Sequence, residues 1–151
     1  MTRRPAVAED EAFIRALIVQ MVSDELLAYA WPEAMRGPLL DMQYRARMAG
    51  MKVSFPGAEH EIILADGEAA GWMVTARGDD AITLADIAVA PEHRGKGLAA
   101  AAIGELLAES KRTGKPVELQ VTSMNPAIRL YERLGFRKTG SDEIRQQMVW
   151  P

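Results

Sequence analysis

Leu84-Ala85-Asp86-Ile87-Ala88-Val89-Ala90-Pro91-Glu92-His93-Arg94-Gly95-Lys96-Gly97-Leu98-Ala99 runs from a strand, through a proline turn, into a glycine-rich bend and straight into a helix. Such a bend aims several free backbone N–H groups at one point, where the helix dipole also favours negative charge. Gly95 and Gly97 let an anion approach the backbone closely and reach positive φ without a Cβ penalty. Arg94 and Lys96 add positive charge. The chemistry suits a di-anionic pyrophosphate. The same residues also suit a plain strand-to-helix turn with Arg94 and Lys96 in solvent, because short glycine motifs are common. Two other phosphate loops are excluded: the chain has no GxxxxGK[ST], and no GxGxxG followed by an acidic residue at the Rossmann distance.

Upstream of Leu84 the period is extended. Glu61–Ala65 and Ala69–Ala76 flank Asp66-Gly67, a pair that tolerates the positive φ of a tight hairpin turn. Gly78-Asp79-Asp80 leads into a third strand, Ala81–Val89, so the three strands form an antiparallel meander. Further upstream Phe13, Ile14, Leu17, Ile18 and Met21 repeat at helical spacing behind acidic Glu9, Asp10 and Glu11, and a short strand over Arg4–Val7 precedes them. Trp31-Pro32 and Gly37-Pro38 are breaks, and a second helix is expected over Pro38–Ala49, with Gly50 just beyond it.

Downstream the pattern alternates. Gly97–Arg112 reads as a helix closed by Lys111, Arg112 and Gly114, and Val117–Val121 as a strand. Asn125 caps a short helix with Pro126 at its first position, apolar Ala127, Leu130, Tyr131 and Leu134 on one face, and Gly135 at its end. Phe136–Thr139 and Ile144–Trp150 pair around Gly140-Ser141-Asp142. The expected architecture is one α/β domain over residues 1–151 with a mixed sheet.

Composition narrows the chemistry. The chain has 151 residues, 48% apolar and 26% charged, values typical of a globular domain with a real core. Net charge is −3, which speaks against nucleic acid or anionic membrane as the main partner. No cysteine is present, which removes disulfides, thiolate metal sites and a cysteine nucleophile, and the two histidines, His60 and His93, make a zinc site improbable; no metal is expected. No apolar run nears the roughly 20 residues that span a bilayer. The N-terminus carries no apolar signal core, so the expected location is cytoplasmic.

Arg94-Gly95-Lys96-Gly97-Leu98-Ala99 resembles the R/Q-x-x-G-x-G/A signature of the GNAT superfamily of N-acetyltransferases. Asp86-Ile87-Ala88-Val89-Ala90-Pro91 is similar to the fourth strand of that family, and Asn125-Pro126-Ala127-Ile128-Arg129-Leu130-Tyr131-Glu132-Arg133-Leu134-Gly135-Phe136 to its N-x-x-A-x-x-L-Y-E-x-L-G-F block. Two blocks in the right order are far more specific than either alone. The resemblance is strong from Ala81 to Phe136 and uninformative between Ser23 and Gly57.

It implies a GNAT-like fold: a central twisted, mostly antiparallel sheet that splays between its fourth and fifth strands, with helices on both faces. The implied activity is transfer of the acetyl group of acetyl-CoA to an amine by direct attack in a ternary complex; the acceptor is unidentified. A non-catalytic acyl-CoA-binding or sensor module on the same fold is the alternative. Arg94, Gly95, Lys96, Gly97, Leu98 and Ala99 would hold the pyrophosphate, and the backbone of Ile87, Ala88 and Val89 would pair with pantetheine. Asn125 would reach the cofactor arm besides capping its helix, and Tyr131 would lie near the cofactor sulfur although its spacing equally suits a core aromatic. A phenol near 10 is a weaker acid than a thiol near 8.5, so Tyr131 is better assigned as hydrogen-bond donor to the leaving thiolate than as full general acid.

The positions that align with the base of some relatives hold Thr83 and Gln120; Asp86 and Glu118 are the nearby carboxylates, each also readable as an ordinary strand residue. His93 reads as a surface turn residue, and Trp31, Met35, Tyr44, Met48 and Met51 as core or as an acceptor wall. A homodimer is compatible with this reading.

Overall fold

The computed structural model describes residues 1–151. In chain order its elements are β1 (Thr2–Pro5), α1 (Glu11–Leu26), α2 (Glu33–Ser54), β2 (Glu59–Ala65), β3 (Glu68–Arg77), β4 (Ile82–Val89), α3 (Leu98–Thr113), β5 (Val117–Thr122), α4 (Ala127–Arg133), β6 (Arg137–Ser141) and β7 (Arg145–Trp150). The strands make one sheet in the order β1-β2-β3-β4-β5-β7-β6. Every neighbouring pair is antiparallel except β4 and β5, which run parallel. No helix is long and apolar enough to cross a membrane.

The turn chemistry behaves as the residues dictate. Asp66 and Gly67 both take positive φ, 51° and 80°, and close the β2–β3 hairpin. Gly114, at φ 73°, ends α3 in the left-handed conformation behind Lys111 and Arg112. The Asn125 carboxamide oxygen accepts from the Ala127 N–H at 2.9 Å, capping α4.

Two elements differ from expectation. Helix α2 starts at Glu33 and ends at Ser54, with Pro38 inside it rather than at its first turn. A proline crowds the Cβ of the residue before it, and Gly37 has none, so the helix passes through at the loss of one N–H donor. Strand β1 lies two residues earlier than the apolar pattern suggests. Asp10 accepts from the Val7 N–H at 2.8 Å and from both terminal nitrogens of Arg4, at 2.8 and 2.9 Å, folding the chain off the sheet before Val7.

The sheet separates two cores. One buries α3, Tyr131 and Phe136 against Met73, Leu84, Leu119 and Met148; the other buries α1 and α2 against Ile62, Trp72 and Val74. Tyr44 and Met51 are buried in the second core, Trp31 and Met48 pack against it, and Met35 is exposed.

Candidate functional site

The bend after β4 is where backbone groups are left over. Gly95 and Gly97 have φ of 77° and 76°, and Gly97 stands at the α3 N-terminus without any side-chain cap. The first backbone bond into the helix is from Ala101 N–H to the Gly97 carbonyl, at 2.9 Å. The N–H groups of Gly95 to Ala100 therefore donate to no backbone acceptor. A Cβ at Gly95 or Gly97 would meet nothing within 4 Å, so the ground in front of these amides is open. Arg94 and Lys96 are exposed, and Arg94 clips the bend to the strand by donating from Nε to the Val89 carbonyl at 3.1 Å.

Beside the bend the sheet comes apart. β4 pairs with β5 only through Ile82↔Val117, Thr83↔Glu118 and Leu84↔Leu119, although β4 continues to Val89 and β5 to Thr122. The cause is local: the β3–β4 register jumps from Val74↔Asp86 to Thr75↔Leu84, leaving Ala85 as an extra residue where the parallel ladder stops. A bulge bends its strand and raises its twist, which turns the far half of β4 away from β5.

Backbone direction alternates along β4. Ala90 N–H donates to the Ala70 carbonyl at 2.8 Å, so Ala90, and with it Ala88, turns its backbone groups towards β3. The Ala88 carbonyl lies 2.7 Å from where a Cβ on Gly71 would stand, consistent with that direction. Ile87 and Val89 therefore face the gap; of the three expected there, Ala88 does not. The Ile87 and Val89 side chains pack against the α3 core, and Ala88 against the other.

Tyr131 lies in the same region, 6% exposed and edge-on to Phe136 with ring centroids 5.8 Å apart. Burial first, then the Asp86 charge, push its hydroxyl up to about 12, and no hydrogen bond contributes. It stays a protonated donor with no protein acceptor. Proton transfer from it to a thiolate of pKa about 8.5 is uphill by about 5 kcal/mol, so donation of a hydrogen bond is what it offers.

Asp86 is not a free base. Arg47 Nε and Nη2 grip its two oxygens at 2.7 and 3.1 Å, and the Ile87 N–H adds a third bond at 3.0 Å. Its side chain is 6% exposed and that of Arg47 31%, so the bidentate pair is buried on the carboxylate side and open on the other. Glu25, at the end of α1, feels both charges; crowding by protein raises its pKa, with Arg47 opposing and Asp86 adding, although the residue as a whole is exposed. Across the sheet His60, Val74 and Asp86 lie in register. Trp72 Nε1 donates to His60 Nδ1 at 3.2 Å, and burial lowers the His60 pKa.

The model of the acetyltransferase (GNAT) family matches residues 18–136. The chain belongs to that family. Streptothricin acetyltransferase of Streptomyces lavendulae is 36% identical to this GNAT chain over 87 residues, 55% of the chain and 46% of the relative. The chain thus spans about half the length of that curated relative. A crystal structure of nourseothricin acetyltransferase is 31% identical, with a TM-score of 0.56 over 64% of this chain and 66% of that one. PaiA N-acetyltransferase from Thermoplasma acidophilum, solved with coenzyme A, superposes with a TM-score of 0.73 over 98% of this chain and 96% of its own at 15% identity, a likeness of fold.

The GNAT fold brings the Arg94–Ala99 bend, the free edge at Ile87 and Val89, Tyr131 and Asp86 to one end of the split sheet. It does not bring Glu118 there: that residue is exposed and sits opposite Thr83, in the paired part of β5. His93, expected on the surface, is tucked under the turn with its side chain 12% exposed and Nδ1 unpartnered. Arg47 is an addition that sequence reasoning missed. Nothing in an Arg on an amphipathic helix marks it as a partner of a strand carboxylate; the only signal was Asp86 itself, a charge inside an otherwise apolar strand.

Proposed function

We propose that this chain is an acetyl-CoA-dependent N-acetyltransferase, acting as one domain over residues 1–151, that acetylates an amine by direct transfer in a ternary complex. One observation carries the reading: the run of N–H groups from Gly95 to Ala100 without backbone acceptors, opening on free space at the α3 N-terminus. The residues fit the group. The bend and Lys96 hold the pyrophosphate, the Ile87 carbonyl and the Val89 N–H pair with the pantetheine amides, and the remaining face of Asn125 meets the arm. Acetyl-CoA supplies an activated carbonyl on a thiolate leaving group. Tyr131 holds a proton at its hydroxyl and donates a hydrogen bond to the sulfur position, where charge develops.

A relative named for streptothricin and a neighbour named for nourseothricin support an amine-bearing small molecule as acceptor. Cytoplasmic location, the absence of a metal and a homodimeric state belong to the same reading. The test is thermal melting with and without acetyl-CoA, followed by free-thiol release with an amine panel. At 100 times its dissociation constant the ligand adds about 2.7 kcal/mol. A melting shift with thiol release across the panel is the expected result; a shift with no release on any amine returns the chain to a binding module, and no shift removes the reading.

A further inference from the structure

We infer that the α1/α2 side of the sheet carries a second binding site, beside the edge strands β1 and β2, for a small uncharged molecule with an apolar body and one hydroxyl or carbonyl oxygen. A cavity of about 330 Å³ lies there, a size that holds a small ligand. Ala6 and Val7 line it from the connection between β1 and α1, Ile14 from α1 and Met48 from α2. Tyr44, also from α2, His60 from β2 and Glu11 from the start of α1 complete the lining. None of these residues belongs to β4, the Gly95–Gly97 bend or α4, so the cavity is separate from the split in the sheet.

Its polar groups select the guest. The Trp72 indole can only donate, and it donates from Nε1 to His60 Nδ1 at 3.2 Å. That bond takes the Nδ1 lone pair and places the ring proton on Nε2. Burial lowers the His60 pKa, with the Asp86 charge opposing, so this neutral form is the one present near pH 7. Trp72 is fully buried behind the ring while His60 lines the cavity, which leaves the Nε2–H edge for a guest. Only His93 Nδ1 is both unpartnered and sealed from outside, so His60 Nε2 and the Tyr44 hydroxyl, which also bond nothing in the protein, are within reach of a guest.

Charge narrows the class further. The arginines nearby are taken: Arg4 by Asp10, and Arg15, whose guanidinium carbon lies 5.0 Å from the Tyr44 ring centre, by Asp41. Glu11 is exposed at the cavity, and its charge is unanswered. A carboxylate guest would be repelled by it, and an ammonium has no lone pair for the His60 N–H. An uncharged oxygen accepts from His60 Nε2, and an alkyl or aryl body covers Val7, Ile14, Met48 and the Tyr44 ring.

The experiment titrates the isotope-labelled full chain with 2-phenylethanol and with phenylacetate, which pairs the same ring with a carboxylate, and follows the Trp72 indole N–H and His60 ring resonances. 2-Phenylethanol is expected to shift both signals to saturation with a dissociation constant of about 1–10 mM, the affinity of a very small ligand, and to do so equally with acetyl-CoA present. Phenylacetate is expected to bind at least tenfold more weakly. Val7→Phe fills the cavity from an exposed position and should abolish the shift while the chain melts as wild type does. Glu11→Gln should raise phenylacetate affinity at least threefold and leave that of 2-phenylethanol unchanged. No saturable shift, or one that Val7→Phe leaves intact, overturns the site. Phenylacetate binding as tightly as 2-phenylethanol, or indifferent to Glu11→Gln, overturns the ligand class. A shift that acetyl-CoA competes away places the probe in the split and overturns a second site, leaving the cofactor reading standing.

Discussion

The Gly95–Gly97 bend and the Arg47–Asp86 pair are built from opposite materials. The first is contiguous backbone: consecutive residues, two left-handed glycines and a helix start produce a concave row of N–H groups. The second is a contact of side chains drawn from α2 and β4, 39 residues apart in sequence. A site made of backbone has to declare itself in residue types, because only glycine takes those φ values without strain. A site made of side chains declares itself only once the chain has folded.

That contrast is breakable, and the largest effect belongs to the side-chain region. Arg47→Met strands a buried Asp86 carboxylate, and urea unfolding should show a loss of about 3–5 kcal/mol. Adding Asp86→Asn should recover most of it; a single mutant within 1 kcal/mol of wild type would dissolve the pair as a unit. Next comes Tyr131→Phe, for which turnover is expected to drop about a hundredfold, the size of one lost transition-state donor. Its melting temperature and response to acetyl-CoA should hold, because the hydroxyl bonds nothing in the protein.

Gly97→Ala acts on the backbone region. It meets no atom within 4 Å but forces alanine to φ 76°, costing about 1–2 kcal/mol. Melting with and without acetyl-CoA should show affinity falling as well as stability; stability alone would reduce the bend to a turn. The smallest effect is at the side-chain-built N-terminus. Hydrogen bonds from Arg4 and the Val7 N–H hold the Asp10 carboxyl at about 2, below its ordinary 3.8. A depressed carboxyl stabilises the fold above its unfolded value and loses that contribution as pH falls from about 4 towards 2. Asp10→Asn should flatten that limb of a pH–stability curve.

The same division sets what the sequence made legible. From Ala81 to Phe136 the elements follow from glycines, prolines and apolar periods that act locally, and the Asp66-Gly67 hairpin and Gly114 stop formed as their residues require. Helix α2 did not, because Pro38 reads as a start until Gly37 is seen to remove the clash that would enforce one. The splay was legible only through resemblance: the extra residue at Ala85 has no signature in a strand of small and branched residues. Ala88 was grouped with Ile87 and Val89 because sequence gives a strand's position but not which edge each amide faces. Asp86 was legible as an oddity, but its partner was not, since an ion pair is a property of two distant elements.

Three residue pairs are all that joins β4 to β5, so the sheet is two leaves meeting at a short seam. The Ile87 N–H already goes to Asp86 and the Val89 carbonyl to Arg94, so what the gap side of β4 still offers is the Ile87 carbonyl and the Val89 N–H. A ligand paired to those two groups would bridge the leaves that the bulge at Ala85 holds apart.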